Sequence, residues 1–171
     1  HQQIPKDLRH LIYIDGRPTI ELDFNAYHVR MLYHLQGIDY QEDPYSACGG
    51  IEMRKAFKIA SLIGINAPNI RKAYRAIKAK FEEEGVPMPM VKKPLKHLIE
   101  TFKTKHQPIA NSVCSDMGIE LQNIDSHIMN SILMRLMDMG ILGLSVYDSV
   151  IVAEEFAETA RGIMIEEYHR V

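Results

Sequence analysis

The chain has 171 residues, with 20 Lys and Arg against 22 Asp and Glu, 46% hydrophobic residues and two cysteines. That length suits one domain, or one domain with a lobe, and the apolar fraction can build a core, which excludes a disordered or low-complexity chain. No apolar run approaches the ~20 residues of a membrane span and no signal peptide opens the chain. Cys48 and Cys114 form no Cys-x-x-Cys pair, so a reduced, cytoplasmic setting without membrane contact is expected.

Residues 11–14 and 18–24 read as two strands around an Asp15-Gly16 turn. Residues 26–36 then read as a helix, with Gly37 as its stop. A loop rich in turn formers follows, Asp43-Pro44-Tyr45 and Gly49-Gly50, and passes abruptly into a helix over 52–65. Pro68 suits the first turn of the next helix, which runs to about Glu84. Pro94 opens a short helix to about Lys105, and Pro108 another to about Met117. Residues 119–139 form a long amphipathic helix, apolar at Ile124, Ile128, Ile132, Leu136 and Met139. Two short apolar strands then meet at Tyr147-Asp148-Ser149, and residues 154–168 close the chain as a helix.

Strands thus occur only near the two ends. The expected fold class is α+β, with a small antiparallel sheet assembled from both chain ends and a helical insertion between them. The expected organisation is residues 1–40 and 108–171 as the sheet-bearing parts and residues 41–107 as the insertion. Charge is divided in a related way. Residues 54–105 carry 13 Lys and Arg against four Glu, while the remainder carries seven against 18 Asp and Glu. A basic face beside an acidic floor suits phosphates held over metals, although a lysine-rich helical hairpin in water has the same composition.

Three features carry chemistry. Asp23 ends an apolar strand, where it could either hold a metal or cap the next helix. Asp148 sits at a hairpin tip whose Tyr-Asp-Ser sequence is a poor tight turn, and sequences break local rules at functional sites; an ordinary turn aspartate is the alternative. Arg54, Lys58, Leu62 and Asn66 recur every four residues, so they form one slanted helical stripe. Two hard-oxygen ligands can hold a pair of divalent metals, and a cationic helix can hold a triphosphate. The eight histidines show no His-Glu-x-x-His spacing and there is no phosphate-binding or dinucleotide glycine loop.

Together these segments resemble the family A DNA polymerases, the bacterial polymerase I type. Residues 21–32, Glu-Leu-Asp-Phe-Asn-Ala-Tyr-His-Val-Arg-Met-Leu, resemble motif A; Arg54 to Asn66 resemble motif B on the fingers helix; Val146-Tyr147-Asp148-Ser149 resembles motif C. The Gln122-Asn123 stretch is similar to the start of the long palm helix. The order of the motifs is that of the family, over residues 11–168. His28 stands where the family keeps a glutamate against the ribose 2′-hydroxyl, Leu62 and Asn66 where it keeps two aromatics, and Ser149 where it keeps an acid. No thumb or exonuclease is recognisable. The resemblance implies a compact palm-and-fingers core of phage or mobile-element type. It implies that Asp23, the Phe24 carbonyl and Asp148 hold two Mg²⁺ ions, with Mn²⁺ as a substitute. It implies that Arg54, Lys58, Leu62, Asn66 and His28 meet a nucleoside triphosphate, and that Gln122, Asn123 and Tyr147 meet a nucleic acid primer–template. Further domains or subunits would supply a thumb. Two function classes stay open: a template-directed nucleotidyltransferase, and a polymerase-derived nucleic-acid-binding or assembly module without chemistry.

Overall fold

A computed structural model describes residues 1–170 and divides them into two compact units, residues 1–25 with 122–170 and residues 26–121. The class is α+β, as the distribution of strand and helix patterns predicts.

The first unit is built on a four-stranded antiparallel sheet in the order β1-β2-β4-β3, with β1 Tyr13–Ile14, β2 Arg17–Asp23, β3 Leu144–Val146 and β4 Ser149–Ala153. A 3₁₀ helix, Lys6–Leu11, takes the place of the first half of the expected opening strand, leaving β1 only two residues. The two ends of the chain meet at the centre of the sheet. Thr19 pairs with Ala153, Ile20 with Val152, Glu21 with Ile151, Leu22 with Val150 and Asp23 with Ser149. Every residue of β4 is buried, as expected of a central strand. The long helix α5, Gly118–Asp138, brings Ile128, Ile132 and Leu136 into this core, and α6, Ala157–Tyr168, adds Ala160, Ile163 and Met164. Met139, expected on the same apolar face, lies past the end of α5 and is 58% exposed. Gly140, at φ 71°, turns the chain there, and the Ile141 N–H reaches back to the Leu136 carbonyl at 2.8 Å.

The second unit is helical: α1 Tyr27–His34, α2 Ser46–Asn66, α3 Ile70–Glu84 and α4 Pro94–Lys105. The Gly49-Gly50 step interrupts α2 with non-helical backbone, so the straight part of that helix follows it. Asn69, rather than Pro68, marks the start of α3: it is the N-cap, and its side chain accepts from the Lys72 N–H at 3.0 Å. The helix expected after Pro108 is a 3₁₀ helix, Gln107–Ser112, and positive φ at Cys114 and Asp116 then prevents its continuation. Phe57, Ile65, Ile77, Phe81, Leu98 and Phe102 are all fully or almost fully buried. Gly64 lets α2 and α4 close: a Cβ there would stand 3.1 Å from Ile99 Cδ1. No helix among the described residues is long and apolar enough to cross a membrane.

Candidate functional site

The sheet positions the two aspartates. Asp23 is the last residue of β2, exposed, with Ser149 as its direct partner across the central pair. Asp148 precedes Ser149 and is the second residue of the two-residue turn between β3 and β4. Backbone pairing between positions 125 or more apart therefore brings both aspartates to one end of the sheet. Glu21, two residues before Asp23, lies on the same face of β2 because side chains alternate along a strand. Its carboxylate accepts from Ser149 Oγ at 2.7 Å and from Arg9 Nη1 at 2.7 Å. Ser149 Oγ also lies 2.9 Å from the Val146 carbonyl, which ties the turn to the sheet.

The backbone departs from local comfort immediately before Asp148 and again three residues after Asp23. Tyr147, immediately before Asp148, has φ 53° and is 76% exposed. Ala26, three residues after Asp23, has φ 52°. A non-glycine residue in this region costs about 1–2 kcal/mol, and such strain collects at functional sites. Ala26 also occupies the N-cap position of α1, where an Asp or Asn would be favoured, so Asp23 is not the N-cap residue of that helix. The Phe24 ring packs at 5.7 Å from Tyr168.

The cations belong to the helical unit. A cleft of about 580 Å³ between α2 and α3 is lined by Arg54, Lys58 and Leu62, with Lys55, Lys80 and Glu84. Leu62 continues into a neighbouring cavity of about 440 Å³ that Asn66 also lines. The four-residue stripe thus faces one side of α2. Its side chains are not equivalent. Arg54 Nε donates to Asp43 Oδ2 at 2.5 Å, and the guanidinium stands 5.5 Å over the Tyr45 ring. Burial pushes the Asp43 carboxyl up, but the Ser46 hydroxyl, Arg54 and the Tyr45 amide outweigh it and hold the carboxyl below its ordinary range. Lys55 pairs with Glu84 at 3.0 Å and Lys80 with Glu84 at 3.3 Å. Lys58 alone among the cations lining the cleft has no carboxylate partner among the described residues. Asn66 turns its amide back on its own helix, donating to the Leu62 carbonyl at 2.7 Å.

His28 lies in the first turn of α1, half-buried and stacked on Tyr27 at 6.2 Å. Gln122 and Asn123 are exposed on α5. Sequence reasoning missed Asp43 and Glu21. Asp43 carried a signal, since an Asp two and three residues before the Tyr45 amide and Ser46 is an Asx-turn pattern. Glu21 carried none, because its partners are 12 and 128 positions away.

No group of three or more His, Cys, Asp or Glu side chains able to hold a metal occurs among the described residues. The pair Asp23 and Asp148 is nevertheless the donor chemistry that Mg²⁺ takes, since that ion is usually held by one or two carboxylates, keeps several waters and completes its shell with substrate phosphates. No protein-family model, curated protein or solved structure matches the chain.

Proposed function

We propose that the chain is the core of a template-directed nucleotidyltransferase that joins a nucleotide from an NTP or dNTP to a primer 3′-hydroxyl. The observation that supports this reading best is the convergence of Asp23 and Asp148 at one end of the β2–β4 pair, with strained backbone immediately before Asp148. Asp23, Asp148 and the Phe24 carbonyl would hold Mg²⁺, which when bound supplies Lewis-acid stabilisation of the charge that develops at the α-phosphate.

The chain's own residues have distinct tasks in this reading. Asp23 and Asp148 provide fixed negative charge on a sheet whose backbone pairing keeps them from drifting apart. Lys58 offers an ammonium to the β- and γ-phosphates without first breaking an ion pair. Arg54 exchanges the Asp43 carboxylate for a phosphate, a swap between two anions that the planar guanidinium binds alike. Leu62, Asn66 and His28 border the sugar and base, and Gln122, Asn123 and Tyr147 contact the primer–template.

The test is extension of a labelled primer with dNTPs and, separately, NTPs. The parent is expected to incorporate, while Asp23→Ala and Asp148→Ala fall to background with unchanged circular dichroism. Incorporation by the double alanine variant would overturn the assignment. A second reading, a nucleic-acid-binding module without chemistry, is favoured by the engagement of Arg54 with Asp43 and of Asn66 with Leu62. It predicts primer–template binding by the parent with no incorporation under any metal.

A further inference from the structure

A separate cavity of about 440 Å³ lies in the helical unit, where α3 meets the start of α4. Tyr74, Met88, Pro94 and Leu95 form its walls together with Lys78, Lys93 and Lys96. Its lining is apolar throughout, so the three lysines contribute their methylene stems and leave their ammonium groups at the rim. Tyr74 is half-buried, and its ring stacks on no other aromatic side chain among the described residues.

The charge at the rim is available. Lys93 has no carboxylate partner among the described residues. Lys78 and Lys96 face only Glu82 at 3.8 Å and Glu100 at 3.2 Å, pairs on their own helices with all four side chains at least half exposed. Such pairs are weak and yield to a competing anion. Over residues 71–105 there are ten Lys and Arg against four Glu. Lys93 is also held at φ 54° as the N-cap of α4, with Pro94 behind it and no side-chain cap. The first N–H groups of a 12-residue helix therefore open beside the same rim.

An apolar slot with one free aromatic face and a ring of point cations has the features of a single-stranded nucleic acid subsite. Each base offers a π-face to stack on an aromatic side chain, and each linkage offers a phosphate to a lysine. An acidic peptide would satisfy the lysines but brings no obligatory flat ring for Tyr74. We infer that this cavity binds one base of a single-stranded nucleic acid on Tyr74 while Lys78, Lys93 and Lys96 hold the flanking phosphates. This site uses none of the residues assigned to nucleotide transfer.

The test is fluorescence anisotropy of labelled oligo(dT) and oligo(U) of about 12 nucleotides, a length within the usual range of single-strand sites. The full chain is used in EDTA without triphosphate. Failure of incorporation therefore leaves the binding result readable, and the two readings fail separately. Tyr74→Ala is expected to weaken binding about tenfold and Tyr74→Phe to restore it. If the alanine variant does not fold, Tyr74→Leu keeps the bulk without the ring and decides the same point. Lys93→Asn keeps a residue that tolerates the left-handed backbone and should reduce the slope of log K against log salt by about 0.7. The ratio of the two oligonucleotide affinities tells DNA from RNA as the ligand. Unchanged affinity in folded Tyr74→Ala, or competition by polyglutamate as effective as by unlabelled oligonucleotide, would overturn the inference.

Discussion

The Asp15-Gly16 and Tyr147-Asp148 turns close two-residue hairpins in the same sheet, yet their chemistry is opposite. At the first, both central residues have positive φ, 51° and 75°, and Asp-Gly is among the pairs that this geometry favours. At the second, only the first residue has positive φ, a position where glycine is preferred, and it is a tyrosine. The comfortable turn joins an edge strand of two residues to β2 and carries no proposed chemistry. The uncomfortable one presents Asp148 beside the end of the central strand pair. Its conformation is held by the β3–β4 ladder on both sides and by Ser149, which Glu21 grips from β2. A turn chosen for stability alone would resemble the first; the second keeps an aspartate at some cost in backbone energy.

The strongest way to break this contrast is to give the second turn the chemistry of a relaxed one. Tyr147→Gly with Asp148→Asn is expected to raise unfolding free energy by about 1–2 kcal/mol in urea titrations. Nucleotide incorporation should fall to background in the same protein. A destabilised double variant would show that the tyrosine turn carries no strain. Glu21→Gln comes next. It leaves the side chain's shape but removes the charge that Arg9 and Ser149 contact, at 21% and 13% side-chain exposure of the Glu21–Arg9 pair. A loss of about 1.5 kcal/mol is expected, since hydrogen bonds to charged groups are the stronger kind. An unaltered denaturation midpoint would mean that Glu21 does not support the turn.

The reciprocal change in the first turn is smaller. Gly16→Ala places a side chain at φ 75° in open space, so only backbone strain is added, and about 1 kcal/mol of destabilisation should follow. Incorporation should be unaffected, because nothing in that hairpin reaches the aspartates' end of the sheet by its pairing. A drop in activity equal to that of Asp148→Ala would erase the functional distinction between the hairpins.

The helical unit supplies a pH control that neither turn should show. His106 is 1% exposed, its Nε2 donating to the Pro44 carbonyl at 2.9 Å and its Nδ1 accepting from the Tyr33 hydroxyl at 2.7 Å. Burial holds its pKa below the ordinary value, partly opposed by the Pro44 contact, and burial, then Tyr40 and Cys48, push the Tyr33 hydroxyl up to about 12. The folded state therefore binds the His106 proton less readily than the unfolded state. This contribution is fully present above about pH 6.5 and is lost as pH falls from there towards the lower folded pKa. Stability should decline between pH 7 and pH 5, and His106→Phe should flatten that decline. An identical pH profile in the variant would exclude His106 as its source.

Periodicity in the sequence carried much of the fold. Short apolar runs marked β2 and β4, the four-residue stripe marked one side of α2, and glycine and proline marked most helix limits, because these signals depend on neighbours a few positions away. The same locality explains the losses. The opening strand shortened to Tyr13–Ile14 behind a 3₁₀ helix over Lys6–Leu11, and the Pro108 segment stayed 3₁₀, because tertiary contacts and not propensity decide short elements. The pairing of Asp23 with Ser149 was foreseeable as a sheet but not as a register. The poor fit of Tyr147-Asp148 to a tight turn was legible and the positive φ of Tyr147 agrees with it, but the grip of Glu21 on Ser149, the engagement of Arg54 by Asp43 and the return of Asn66 onto Leu62 were not foreseeable. What the chain determined by itself was which residue types stand on which strand or helix, since φ/ψ preference and side-chain period are local properties. Only the tertiary structure decided which carboxylates share one end of a sheet and which cations keep their charge unpaired, because those depend on distances between residues that the sequence separates.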